Sequence, residues 1–550
     1  MKIKLAILAI LFLGGFLRFY KLDWGQGFFF HPDEYHIAIA VNRLDFPTNM
    51  NPDLFSYGSF TVYLIYFSKL ILESINSSLS DINSILIGRF FSAFFSTATI
   101  LLVFFISKQI FKERKFTLLT TFTTAIAPGL IQQAHFATPE STLIFWLFAT
   151  ITLWVFWLTR NKEKFLFLSA ITLGAAAATK IVATAFLPIL AIMPLFKNSS
   201  YSIKSIFNKF ISVIVLLSTC LLVFIAFFPY SLLDKNGFLH SMKYETSVAQ
   251  GKLVVFYTRQ FIDTTPFSFQ LTKIFPYTLG PAVLLLGLMG FIFIIFKIIR
   301  TLIKERKLEK ILIILLLSFL AILLANILLF TKWVRFMAPT FPYFNIFAAF
   351  SIYYIYNLKG QLAKPVSLLL TIFVVVFSTL WSLMFFSIYK KTDVRINSTE
   401  WINQNITQNS NILTEEGNTL EVPLSGGYNK RVFNFYNLNE PKELDNLSQH
   451  LVTADYFIIQ SRRVFVNHQR LSKDFPDVSN FYNKLFSGEL GFEKVKEFTS
   501  FPRLFIGPLK FEIDDEQAEE TWSVFDHPVV RIYKKTNLLS EIDYQRLLTN

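Results

Sequence analysis

The sequence predicts a polytopic α-helical membrane protein of about eleven spans, ending in an extracytoplasmic α/β domain. Three observations carry this. Hydrophobic residues make up 53% of the 550, and the mean hydropathy is +0.46, outside the range of a soluble chain. Apolar runs of span length recur from the N-terminus to about residue 388. Beyond Lys390 the composition turns polar, and residues 390–550 suffice for one domain.

Crossing roughly 30 Å of hydrocarbon takes about 20 helical residues. Such runs lie near 3–20, 85–107, 116–134, 141–158, 210–230, 277–297, 311–330, 338–357 and 366–388. The block 165–196 is interrupted by Lys180 and closed by Pro188 and Pro194, so it reads as two short spans meeting near Lys180. The start of the chain imitates a signal peptide, with Lys2 and Lys4 before an apolar run. No small-residue cleavage site follows, and Arg18, Tyr20 and Trp24 suit interfacial anchors, which makes it a retained first span.

The segment 59–75 decides the topology. It is apolar but carries Lys69 and Glu73. If it does not cross, the basic loops fall on one side: Lys2/Lys4, Lys112/Arg114/Lys115, Arg160/Lys162/Lys164, Lys197/Lys204/Lys209, Arg300/Lys304/Arg306/Lys307/Lys310 and Lys359/Lys364. The opposite short loops, 135–140 and 331–336, hold only His135, Glu140, Lys332 and Arg335. By the positive-inside rule the N-terminus is then cytoplasmic. The segment 59–75 is therefore expected to lie along the outer leaflet as an amphipathic helix. This defines a transmembrane domain, 1–389, with long external loops at 21–84 and 231–275, and an external domain, 390–550, in a cell membrane protein.

The formal charge of +14 sits in short loops between spans, which argues against nucleic acid as a partner. A single cysteine, Cys220, excludes an intramolecular disulfide framework and a cysteine-based metal site. In the last domain, 398–406 reads as helix, and 411–414, 456–460 and 529–533 as strands. The triplets beginning at Asn76, Asn397 and Asn405 match the glycosylation sequon, and such triplets are frequent by chance.

The rare charged groups gather on the external face. His31-Pro32-Asp33-Glu34-Tyr35 follows the first span, and Pro32 suits the first position of a helix whose first turn favours Asp33 and Glu34. His135 and Glu140 share a tight external loop. Arg89 lies near the external end of span 85–107, Lys180 at the tip of 165–196, and Arg335 before a late span. Each alone can be a cap, a snorkelling anchor or a loop marker. Together they suit attack by a hydroxyl on a sugar carried by a lipid phosphate. Arg89, Lys180 and Arg335 can stabilise the phosphate leaving group. Asp33 is the candidate general base, with Glu34 beside it to raise its pKa and Glu140 as a further catalytic carboxylate. The donor types of Asp33, His135 and Glu140 also suit a divalent metal such as Zn, Mn or Mg, although their spacing does not decide it.

These motifs resemble the GT-C glycosyltransferases of the protein O-mannosyltransferase and lipid A aminoarabinose transferase type. The resemblance rests on His31-Pro32-Asp33-Glu34, the stretch Leu86-Ile87-Gly88-Arg89-Phe90-Phe91-Ser92, and His135-Phe136-Ala137-Thr138-Pro139-Glu140. It continues in Gly174–Thr179 leading to Lys180, in Arg335-Phe336-Met337-Ala338-Pro339, and in Ser523-Val524-Phe525-Asp526-His527-Pro528. Glu140 departs from the family's usual aspartate and reaches about one methylene further. The resemblance implies a GT-C fold, a polyprenyl-phosphate-linked sugar as donor, a hydroxyl acceptor on protein, lipid or polysaccharide, and an inverting transfer. A transporter or flippase of lipid-linked glycans is the first alternative, and it would place charges at mid-membrane on broken helices. A membrane sensor with an external ligand-binding domain is the second, and it has no use for Asp33.

Overall fold

A computed structural model describes residues 2–75, 83–196, 202–416, 421–424 and 426–549. Lys197 and the sequon at Asn76 lie outside the described residues. The chain divides into two compact units. The first comprises Met1–Leu22, Asp33–Leu253 and Thr264–Leu383; the second comprises Asp23–Pro32, Val254–Asp263 and Met384–Asn550.

The first unit is helical, and the protein has membrane-protein character. Among the described residues six helices are long and apolar enough to cross a bilayer: Ser84–Ile110, Glu140–Arg160, Ile203–Phe227, Pro281–Glu305, Lys310–Ile327 and Ala363–Lys390. Of the other expected spans, the helix Lys2–Phe19 carries three basic residues, and the rest are shorter or divided. The run 116–134 is two helices, Arg114–Ala125 and Pro128–Ala134, because Pro128 cannot donate to the preceding turn and starts a new one. The block 165–196 has the expected break. Helix Glu163–Thr179 ends at Lys180, whose backbone is extended (φ −157°, ψ 128°), and a 3₁₀ turn, Ile181–Phe186, follows. Cys220 is buried in helix Ile203–Phe227.

Two helices of the first long loop position the candidate site. Pro32–Asn42 begins at the expected proline, with Asp33 and Glu34 in its first turn. Phe60–Ile75 buries Val62, Tyr63, Ile65 and Tyr66 in one cluster with Ile37, Ala40 and Val41 of Pro32–Asn42. This shared apolar seam fixes the direction in which the first turn presents its carboxylates.

The second unit contains a five-stranded sheet in the order β2-β1-β3-β7-β4, where β1 is Asn411–Glu415, β2 Asn429–Phe433, β3 Tyr456–Ile459, β4 Phe492–Phe498 and β7 Val530–Lys535. A separate hairpin is formed by β5, Arg503–Ile506, and β6, Leu509–Glu512. β1 is parallel to β2 and β3, and β7 is antiparallel to β3 and β4. Alternation splits the core between the faces: Leu413, Phe457 and Ile459 pack on one side, Ile412, Ile458 and Ile532 on the other. The buried His527 ring lies between Asp515 and Asp526.

Candidate active site

Successive residues of an α-helix point about 100° apart, so the first turn of Pro32–Asn42 sends its two acids to different places. Glu34 faces inward. Its Oε1 accepts from Arg89 Nε at 2.8 Å and from the Ala137 amide at 2.7 Å, and its Oε2 accepts from Arg89 Nη2 at 2.7 Å. Arg89 Nη1 donates to the Leu22 carbonyl at 2.7 Å. Both side chains are 0% exposed. Arg89 was expected to meet the donor phosphate and Glu34 to tune Asp33. The structure instead closes them on each other, because a buried carboxylate without a cationic partner is costly.

Asp33 faces a different cation. It accepts from Arg335 Nη1, and the same nitrogen donates to the Tyr57 hydroxyl at 3.0 Å. Arg335 stands in the short turn Val334–Met337, with its guanidinium 4.9 Å from the Trp333 ring centre. Both members of this pair keep partial access to solvent. That distinguishes them from Glu34 and Arg89.

Glu140 opens helix Glu140–Arg160, where the dipole favours a carboxylate. Its Oε1 accepts from Lys180 Nζ at 2.7 Å, while its buried Oε2 has no hydrogen-bond partner among the described residues. The extended break at Lys180 lets that side chain leave the hairpin sideways. Its ammonium lies 5.6 Å from the Tyr57 ring centre and 5.1 Å from that of Phe336. The Arg335 guanidinium lies 6.0 Å from Phe336. Lys180 and Arg335 therefore flank the same two rings, each with its own carboxylate.

Tyr57 was not anticipated, and backbone contact holds it there. The Gly58 amide donates to the Thr179 carbonyl at 3.1 Å, and a Cβ at Gly58 would collide with the Ala178 carbonyl oxygen. Glycine is what allows this approach. Glu245, on helix Lys235–Ala249, was also missed. Burial raises its pKa, and the nearby charge of Lys180 opposes the rise.

The ligand set expected for Zn, Mn or Mg does not assemble. His135 directs Nδ1 at the Ile131 carbonyl (2.8 Å) and Nε2 at the Tyr20 carbonyl (3.0 Å), so neither nitrogen is turned toward Asp33 or Glu140. Among the described residues no three His, Cys, Asp or Glu converge as ligands. His135 is a strut between the first span and the tight loop before Glu140.

With this geometry in place, comparison with known proteins is informative over one span. Residues 58–242 match the family described as dolichyl-phosphate-mannose-protein mannosyltransferase. This segment is mannosyltransferase-like. It contains Arg89, His135, Glu140 and Lys180, while Asp33, Tyr57, Glu245 and Arg335 lie outside it. No curated protein sequence matches the chain. Among solved structures, the Archaeoglobus fulgidus oligosaccharyltransferase in complex with Zn and sulfate is 14% identical, with a TM-score of 0.47 over 86% of this chain and 71% of that one. ArnT from Cupriavidus metallidurans bound to undecaprenyl phosphate is 11% identical, with a TM-score of 0.48 over 85% and 94%. The S. cerevisiae Pmt1-Pmt2 complex bound to the sugar donor is 17% identical, with a TM-score of 0.34 over 42% and 34%.

Proposed function

We propose that this protein is a membrane glycosyltransferase that moves a sugar from a polyprenyl-phosphate donor to a hydroxyl acceptor at the extracytoplasmic face. One observation carries the reading: Lys180 and Arg335, from separate parts of the chain, flank Tyr57 and Phe336 with Asp33 and Glu140 alongside. Two adjacent cations suit a phosphate, and the aromatic walls suit the lipid and sugar on either side. The mannosyltransferase-like span 58–242 supports the same class of reaction. The positive-inside distribution supports a cytoplasmic N-terminus and an external 390–550 domain, and we place the protein in the cell membrane.

In this reading the donor phosphate competes for Arg335 and draws it from Asp33. That matters because a carboxylate held by an arginine is a weak base. Once released, Asp33 takes the acceptor's O–H proton as the oxygen attacks the sugar's anomeric carbon. The bond from that carbon to the phosphate oxygen breaks, and the electron pair leaves on polyprenyl phosphate, which Lys180 and Arg335 hold. A single displacement inverts the anomeric centre. Glu140 positions Lys180, and its second oxygen is left to accept from a sugar hydroxyl.

Incubating the purified protein with a panel of polyprenyl-phosphate sugars tests the class. Release of polyprenyl phosphate that depends on Asp33 is the expected result. A folded protein that turns over none of the panel, yet binds a glycan-pyrophosphate lipid and moves it between leaflets, would establish the flippase reading instead.

A further inference from the structure

The β5–β6 hairpin of the second unit has an uncovered apolar face. Its register places Leu504 opposite Phe511 and Ile506 opposite Leu509. Alternate residues share a face, so these four form one side and Arg503, Phe505, Lys510 and Glu512 the other. On the apolar side Ile506, Leu509 and Phe511 are 51%, 59% and 46% exposed. An isolated two-stranded ribbon is marginal in water, and contiguous exposed apolar side chains mark an interaction surface.

The root of the hairpin is tied to a long apolar helix. The Arg503 amide donates to Ser387 Oγ at 3.1 Å. Ser387 lies in the last turn of Ala363–Lys390, one of the six helices long and apolar enough to cross a bilayer. At 1.5 Å per residue this is about 5 Å from the helix end. Cations collect there. Burial, together with the charges of Arg503 and Lys510, lowers the Lys391 pKa to about 8 against the pull of Glu512. Lys510 also pairs with Glu512 at 2.8 Å.

We propose that the β5–β6 hairpin is a membrane-surface anchor. It lays Leu504, Ile506, Leu509 and Phe511 into the leaflet where Ala363–Lys390 ends, with Arg503 and Lys510 of the opposite side near the lipid phosphates. The occupant is lipid, because the ribbon is rooted on a membrane helix and carries Arg503 and Lys510 beside its apolar side chains. Amphipathic segments bind bilayers by this combination of apolar area and anionic attraction.

The test uses the full chain with Cys220→Ser, which removes the only native thiol. Single spin labels are placed by Ile506→Cys or Leu509→Cys, with Glu493→Cys on exposed β4 as a water-facing reference. The labelled proteins are reconstituted into vesicles of phosphatidylcholine and phosphatidylglycerol. Labels at 506 and 509 should collide with oxygen several-fold more than with a water-soluble nickel chelate, and the label at 493 should show the reverse. Nickel access at 506 and 509 equal to that at 493 overturns the proposal. So does protection of 506 and 509 from both reagents, which would indicate a protein contact. All three substituted side chains are exposed, and the reference label reports on folding in the same preparation.

Discussion

Glu34 and Arg89 form a two-pronged ion pair sealed from solvent, closed at 2.8 and 2.7 Å. The adjacent residue in the chain, Asp33, forms an accessible pair with Arg335. Two neighbouring acids thus divide the work: one holds the first loop to helix Ser84–Ile110, and the other faces the cation cluster.

Breaking the sealed pair should destabilise the protein rather than merely slow it. Arg89→Ala strands a buried carboxylate and should cost about 3–5 kcal/mol, seen as a lower unfolding temperature in detergent. Arg89→Lys should also be costly, because an ammonium cannot make two parallel bonds to one carboxylate. An unchanged melting temperature for Arg89→Ala would refute the structural role.

Asp33→Asn should leave the melting temperature intact and donor binding undiminished, or tighter because Arg335 is freed, while transfer falls by roughly 10²–10⁴. Single-turnover measurements with saturating donor separate this chemical loss from a binding loss. Wild-type rates in this variant would remove Asp33 as the base.

Lys180→Ala and Arg335→Ala should each weaken binding of polyprenyl phosphate. A hydrogen bond to a charged group contributes about 1.5–3 kcal/mol, so the loss should be between about tenfold and a hundredfold. Tyr57→Phe removes only the hydroxyl that steadies Arg335 and should cost less. Equilibrium binding in detergent, with folding checked in parallel, provides the measurement.

The second unit should become less stable as pH rises. Burial opposes the charge on His527, but Asp515 and Asp526 outweigh it and push its pKa to about 10. The stability it contributes is complete below the unfolded value near 6.5 and is lost as pH climbs toward 10. Burial raises Glu415 to about 8 despite its bond with Tyr482. Its unfolded form therefore ionises first, and stability falls between about 4.5 and 8. Thermal unfolding from pH 5 to 10 should show this decline. Glu415→Gln should flatten its lower part and His527→Asn its upper part.

Much of the architecture was legible from pattern alone. Pro32 marked a helix start, the break at Lys180 was visible between two apolar runs, and strands β1, β3 and β7 followed from alternating apolar residues. The partners were not legible. A basic residue near the end of an apolar span looks the same in sequence whether it meets a phosphate or a buried glutamate, so the pairing of Arg89 with Glu34 was not foreseen. The split between Asp33 and Glu34 follows from helix rotation, but which direction faced inward depended on the seam with Phe60–Ile75. Tyr57 and Glu245 lie in long loops with ordinary neighbours, and only the Gly58–Ala178 approach and the placement of Lys180 bring them in.

The link between Asp33 and Arg335 has a consequence for electrical balance during the proposed transfer. The donor enters as a phosphodiester with one negative charge and departs as a monoester with two. Over the same step Asp33 gains a proton and loses its charge. Negative charge therefore migrates from one oxygen set to another without any being created, which a poorly hydrated rim tolerates far better than a new net charge. Arg335, already placed between the two sites, can follow that migration with a small turn of one guanidinium. Drawn to the phosphate when the donor binds and free to return to Asp33 only when the lipid has gone, it couples product release to recovery of the base, which is completed by loss of one proton to the surrounding water.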